Sequence, residues 1–294
     1  MRLPWAIVPI SNALTALFLR NVAGYGDEWN PIAATMLAVM SLGLFGFATV
    51  ANDIIDWRRD RYLSPDRPLP SGRITLQQAH LLAAALLLMG IGGGLGYAIG
   101  QGGGFTSILF LAWVILLIVF QSLAGKFFGA VGLLTLGIIA FFHAAIGQPR
   151  LAVIWHPLLI MNHVTVICAA TYALEDRRPR LSTSHRRGIA MGLLALNLLL
   201  AGAVVLAIAW RKESFAAGFE ALHADPPLLY PIIALVIFAV FLLALLLSLR
   251  PTPSQSPREI VDIRRQTGRK VFIFGVLWLI VYDMAFIYGY LRQF

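Results

Sequence analysis

The stretch Asn52-Asp53-Ile54-Ile55-Asp56-Trp57-Arg58-Arg59-Asp60-Arg61, running on through Ser64-Pro65-Asp66-Arg67-Pro68-Leu69-Pro70-Ser71-Gly72-Arg73 to Thr75, lies between two apolar runs, 33–51 and 79–100. Four acids and five arginines therefore gather where two hydrophobic segments meet, which is the place for a site at a membrane face. If the helix of the first run continues through the motif, Asn52, Asp56 and Asp60 follow one another at i, i+4 and i+8, and Asp53 stands three residues before Asp56. All four then project from one stripe. Carboxylates so crowded repel one another unless something positive sits among them, and oxygen ligands with one amide suit a hard cation such as Mg²⁺. Magnesium usually joins one or two carboxylates to phosphate oxygens, so the expected guest is a phosphate or diphosphate. Arg58, Arg59, Arg61, Arg67 and Arg73 fit an anionic ligand, although basic residues beside a membrane helix are also ordinary topology signals.

Working outward, the chain is 59% hydrophobic and 13% charged with a mean hydropathy of +0.78, far from the balance of a soluble domain. Nine segments approach the roughly 20 apolar residues that a span needs: 4–22, 32–55, 76–99, 105–122, 128–147, 152–175, 187–210, 228–249 and 270–291. The expected fold is an all-α integral membrane protein, a nine-transmembrane-helix bundle forming one domain over 1–294. With nine spans, 18 of the 23 lysines and arginines fall on the face of the N-terminus and the acidic motif. That asymmetry makes the face cytoplasmic and the chain N-in and C-out. It also argues that the net charge of +9 serves topology and lipid, with no nucleic acid as partner. Cys168, the single cysteine, has no second thiol in the chain to bridge to. Pro4, Pro9 and Asn12 interrupt the first apolar run, which reads as a span and not as a signal peptide.

Along the rest of the chain, Pro65, Pro68, Pro70 and Gly72 forbid a continuing helix, so a turn should hold Arg67 near the acids. Thr75 has the position of a helix N-cap. The glycine-rich segment 90–104 allows close helix approach. Lys126 is the one base in the loop after the fourth span. His143, Asn162 and His163 lie inside spans, where such groups face a cavity or a partner, and could line an acceptor pocket. Asp283, deep in the last span, calls for a partner, for which His143 and His163 are the candidates. The basic segment 250–270 suits anionic headgroups. A second acidic segment, Thr171-Tyr172-Ala173-Leu174-Glu175-Asp176-Arg177-Arg178-Pro179-Arg180, ends the sixth span. It emerges four spans after the first motif and on the same face, as duplication of a four-helix unit would give.

The pattern Asn-Asp-x-x-Asp-x-x-x-Asp followed by Asp-Arg-Pro-Leu-Pro-Ser-Gly-Arg resembles the first aspartate-rich motif of the UbiA-type membrane prenyltransferases. The resemblance implies Mg²⁺-dependent transfer, within the membrane, of a prenyl group from an isoprenyl diphosphate to an aromatic or lipid acceptor. It implies Asp56, Asp60, Asp176, Asn52 and Asp53 as the metal set, with Lys126 on the diphosphate and Arg67, Tyr172, Arg180 and His143 toward the substrates. The setting would be a bacterial or archaeal cell membrane with the site toward the cytoplasm. The family's second motif is Asp-x-x-x-Asp; aligned on Tyr172, its first acid is Asp176 and its second falls on Arg180. Arg180 would then bind diphosphate oxygens directly, so that one Mg²⁺ is expected and the second is left open. The incomplete motif also admits a non-catalytic relative or a transporter that binds a lipid diphosphate. A CDP-lipid alcohol transferase would need an Asp-Gly-x-x-Ala-Arg signature, absent here.

Overall fold

A computed structural model describes residues 3–24, 29–175, 180–223, 228–249 and 256–292. A short 3₁₀ turn, Leu3–Ala6, leads into ten α-helices: α1 Ile7–Val22, α2 Pro31–Leu63, α3 Leu76–Gly100, α4 Gly104–Leu123, α5 Gly129–Ile146, α6 Trp155–Leu174, α7 Thr183–Lys212, α8 Phe215–His223, α9 Leu229–Leu247 and α10 Pro257–Leu291. Among the described residues there is no strand. Eight of the helices, α2 to α7, α9 and α10, are long and apolar enough to cross a membrane; α1, the expected first span, has 16 residues. The protein is thus a multi-pass membrane protein, and eight of the nine expected spans meet the length.

Three helices outrun the spans read from hydropathy. The 33 residues of α2 reach about 50 Å, carrying Asn52 to Leu63 past the apolar run as continuous helix. The 30 residues of α7 begin at a capping box in which Ser182 and His185 satisfy each other's backbone N–H groups. The segment 257–270, expected as loop, is the first part of the 35-residue α10, fixed by Pro257 in its first turn and a Ser256–Glu259 capping box. Thr75 caps α3 as expected, in a box with Gln78.

The chain forms two compact units, residues 1–128 with 141–150, and 129–140 with 151–294. In the first, α2 and α3 make the most extensive pairing. A Cβ on Gly93 would stand 2.6 Å from Met40 N and 2.7 Å from Met36 O, so the two backbones meet where only glycine fits. Gly92, one residue away, faces open space. Gly93→Leu is expected to cost about 1–3 kcal/mol or more by overpacking, and Gly92→Leu close to nothing; thermal unfolding of the two variants in detergent compares them. One turn further along α3, Tyr97 donates to Gly147 O at 2.8 Å and receives a bond from Arg20 at 3.0 Å. Ser107 on α4 donates to Ile146 O at 2.9 Å.

In the second unit, α6 and α10 share a polar seam. His163 donates from Nε2 to Gly275 O at 2.8 Å and accepts at Nδ1 from the Tyr282 hydroxyl at 3.1 Å. Asp283 is buried, and the histidine it meets is neither His143 nor His163: His156 donates from Nε2 to its Oδ1 at 2.8 Å. His156 stands in the first turn of α6, one full helix length from its acidic end and followed by an apolar run that gives no sign of a buried polar pair. Asn162 and Asn197 exchange amide bonds of 2.8 and 2.9 Å between α6 and α7. After α7 comes the short helix α8, with Phe215 and Phe219 exposed as in a segment lying along a membrane interface.

Candidate active site

The last three turns of α2 and the loop behind them build the acidic site of the first unit. Ser64 ends the helix, its N–H on Asp60 O at 2.9 Å, and Pro65, Pro68 and Pro70 then carry the chain around. The turn closes on itself through Ser71 N to Arg67 O at 3.0 Å and Ile74 N to Pro68 O at 3.1 Å, with Gly72 at φ +75°. Arg73 completes the closure by donating to Asp66 O and to Ser71 Oγ. Leu69 is buried beneath, so the loop is held in place and aims Arg67 back at α2.

There the guanidinium of Arg67 forms an ion pair with Asp60, and the same nitrogen lies 3.7 Å from Asp53. Asp53, Asp60, Arg67 and Leu69 line a cavity of about 100 Å³ between α2, the loop and the start of α3. On the other flank of the stripe, Lys126 Nζ sits 2.6 Å from Asp56 Oδ1, both side chains being mostly buried. Lys126 is carried there by a 3₁₀ turn, Gly125–Phe127, directly after α4. The expected loop lysine therefore meets the expected metal ligand.

The stripe is thus real but split. On a helix of 3.6 residues per turn, Asp53 and Asp60 point nearly the same way, and Asp56 about 40° from Asp60. One guanidinium serves the first pair and one ammonium serves Asp56, which supplies the positive charge that the crowded carboxylates require. Each cation keeps donors in reserve, because an ammonium has three N–H groups and a guanidinium five. Arg61 is instead laid over the Trp57 ring at 4.2 Å, and Arg58 and Arg59 are exposed. Asn52 is half-buried on α2.

The remaining candidates stand as follows. Asp176 lies outside the described residues. Tyr172 is half-buried on the last turn of α6, and Arg180 is exposed just before α7, both in the second unit. The end of α6 is tied down by Glu175 N to Thr171 O at 2.9 Å and by its contact with Gly268 of α10. His143, in the first unit, is 7% exposed, and its Nε2 has no hydrogen-bond partner among the described residues.

Among the described residues, no group of three or more His, Cys, Asp or Glu side chains is poised to hold a metal ion. The donors of α2 nevertheless fit magnesium. They are hard carboxylate and amide oxygens, and that ion takes one or two protein carboxylates and completes its shell with water and phosphate.

Comparison with known proteins adds to this geometry. A family model described as the UbiA prenyltransferase family matches residues 12–265. Digeranylgeranylglyceryl phosphate synthase of Methanococcus maripaludis (strain S2) is 35% identical over 89 residues, 29% of this chain and 32% of the relative. The protein of the same name from Methanocaldococcus jannaschii is 30% identical over 89 residues, 29% of this chain and 31% of the relative. The matched stretch spans about a third of the length of these relatives. A solved structure described as "Structural and mechanistic insights into the biosynthesis of Digeranylgeranylglyceryl phosphate synthase in membranes" superposes with a TM-score of 0.58, covering 99% of this chain and 94% of that one at 18% identity. The likeness establishes a shared fold.

Proposed function

The chain belongs to the UbiA prenyltransferase family, and from that premise we propose that it transfers a prenyl group from an isoprenyl diphosphate to an acceptor within the membrane, releasing diphosphate. The observation that carries this reading is the pair of ion bridges on α2, Lys126 with Asp56 and Arg67 with Asp60. They set two cations with unused donors beside oxygen ligands at the end of an apolar helix.

In this reading Lys126 and Arg67 donate to the diphosphate oxygens while remaining held by their carboxylates. Asp56 and Asp60, with Asn52 and Asp53 beside them, are the residues that would hold magnesium; Asp176 and Tyr172 keep the roles the resemblance implies. When bound, the ion would offset the negative charge that grows on the leaving diphosphate. The allylic carbon–oxygen bond breaks with its electron pair passing to diphosphate, the acceptor's electrons form the new bond to carbon, and the acceptor gives up a proton. Because Lys126 and Arg67 are already oriented, their stabilisation of the leaving group carries no reorganisation cost at the moment of reaction. Arg180, where the family's second acid would stand, keeps the diphosphate-binding role that the resemblance implies. His143, whose buried Nε2 has no hydrogen-bond partner among the described residues, stays the candidate on the acceptor side. The relatives' name makes prenylated glyceryl phosphate the first acceptor class to supply.

The test is incubation of the purified protein in lipid nanodiscs with allylic diphosphates of several lengths and with glyceryl phosphate lipids or aromatic acids. Release of diphosphate and a product heavier by one prenyl unit are expected, and chelation of divalent ions should stop both. Binding of the diphosphate with no release over the whole panel would favour a non-catalytic relative, the reading that the arginine at position 180 keeps alive.

A further inference from the structure

The first part of α10 carries charges that the transfer reaction does not use. The helix has 35 residues, and its apolar segment begins at Val271. Residues 257–270 therefore extend beyond the hydrocarbon as an arm of about 20 Å. Thr267, Gly268, Val271 and Gly275 of α10 are buried, and Gly268 and Gly275 lie against Leu174, Glu175 and Ile167 of α6. That is the packed side.

Arg258, Arg265 and Arg269 are exposed and spaced i, i+7 and i+11, which places them within about 40° of one another on a side turned away from α6. Asp262 lies on the same stripe, one turn past Arg258; Arg264 and Lys270 lie off it. Continued into the apolar segment, the stripe is flanked by Phe272 and Ile273, each 40% exposed, as lipid-facing residues are. The basic stripe thus stands directly above lipid. Above Val271, at 1.5 Å per residue, Arg269 stands about 3 Å, Arg265 about 9 Å and Arg258 about 20 Å. The headgroup layer of one leaflet is roughly 5–8 Å deep. Arg269 lies inside it, and Arg265 reaches it with its side chain. Arg258 stands clear of it.

We propose that Arg265 and Arg269 form a binding site for the phosphate-bearing headgroup of an anionic membrane lipid, docked on the outer side of α10. Two planar guanidinium forks one turn apart can grip one phosphate from two directions. The site is specific in position, because only the lower half of the stripe takes part.

The experiment compares the full-length protein with Arg265→Gln/Arg269→Gln and Arg258→Gln, all purified in a neutral detergent and titrated with dioleoylphosphatidylglycerol or dioleoylphosphatidylcholine. Retained lipid is counted by native mass spectrometry. Wild type is expected to prefer the anionic lipid. The double variant should lose about thirtyfold in that affinity, at about fivefold per surface arginine, and Arg258→Gln less than twofold. The exposed positions make glutamine compatible with the helix, and unchanged melting of each variant verifies it. Equal affinity in wild type and double variant would overturn the site, as would an equal loss in Arg258→Gln, which would mark diffuse attraction. Competition by inorganic phosphate at lipid-like concentrations would also overturn it, since the group bound would then be free phosphate.

Discussion

Asp56→Ala is expected to abolish prenyl transfer, with a loss of at least about 10³-fold, the upper range for removing one preorganised electrostatic partner, while the protein remains folded and extractable. Two effects combine at this residue. It loses a carboxylate proposed to hold the metal, and it releases Lys126, whose ammonium it fixes at 2.6 Å. Asp56→Asn separates them, because the amide oxygen still accepts from Lys126 but carries no charge. If the charge matters for metal and diphosphate, asparagine is nearly as damaging as alanine. If Asp56 only positions Lys126, asparagine retains most of the activity. Rates of diphosphate release from the three proteins at saturating allylic diphosphate decide it, and turnover within tenfold of wild type in Asp56→Ala would remove the residue from the site.

The second large effect is one of stability. Asp283 and His156 are 1% and 0% exposed, so each has only the other and its protein neighbours to satisfy it. An ordinary hydrogen bond between membrane helices is worth only about 0.6 kcal/mol on average, and a variant that merely lost one would scarcely be noticed. Removing one member of a fully buried hydrogen-bonded pair is different, since it strands the polar group of the other, and the cost is about 1–3 kcal/mol. Asp283→Ala is therefore expected to lower the melting midpoint in detergent markedly. His156→Leu/Asp283→Leu, which removes both polar groups and fills the space, should recover a good part of that loss. A single variant as stable as wild type would mean that the pair adds nothing to the α6–α10 seam.

Which parts of this molecule could be read from the chain follows from the range of the forces involved. Hydropathy alone located every long apolar helix to within a few residues at its apolar end, because the cost of leaving backbone groups unsatisfied in lipid is large and local. It failed at the polar ends of α2, α7 and α10, where helix continues into water without an apolar signal. Ser256-Pro257-Arg258-Glu259 carries that information as a capping box with proline in the first turn.

The acidic stripe and its ligand chemistry were likewise local, since i, i+4 spacing on one helix needs no partner to be interpreted. The turn that returns Arg67 was local too, dictated by three prolines and a glycine within eight residues. What the chain by itself determined is therefore a multi-pass helical membrane protein with an acidic, oxygen-rich stripe at the end of its second helix. Tertiary structure alone decided which cation neutralises which acid. Lys126 is 70 residues from Asp56 and His156 is 127 from Asp283. Pairings at such separations depend on how helices pack side by side, which sequence spacing does not encode.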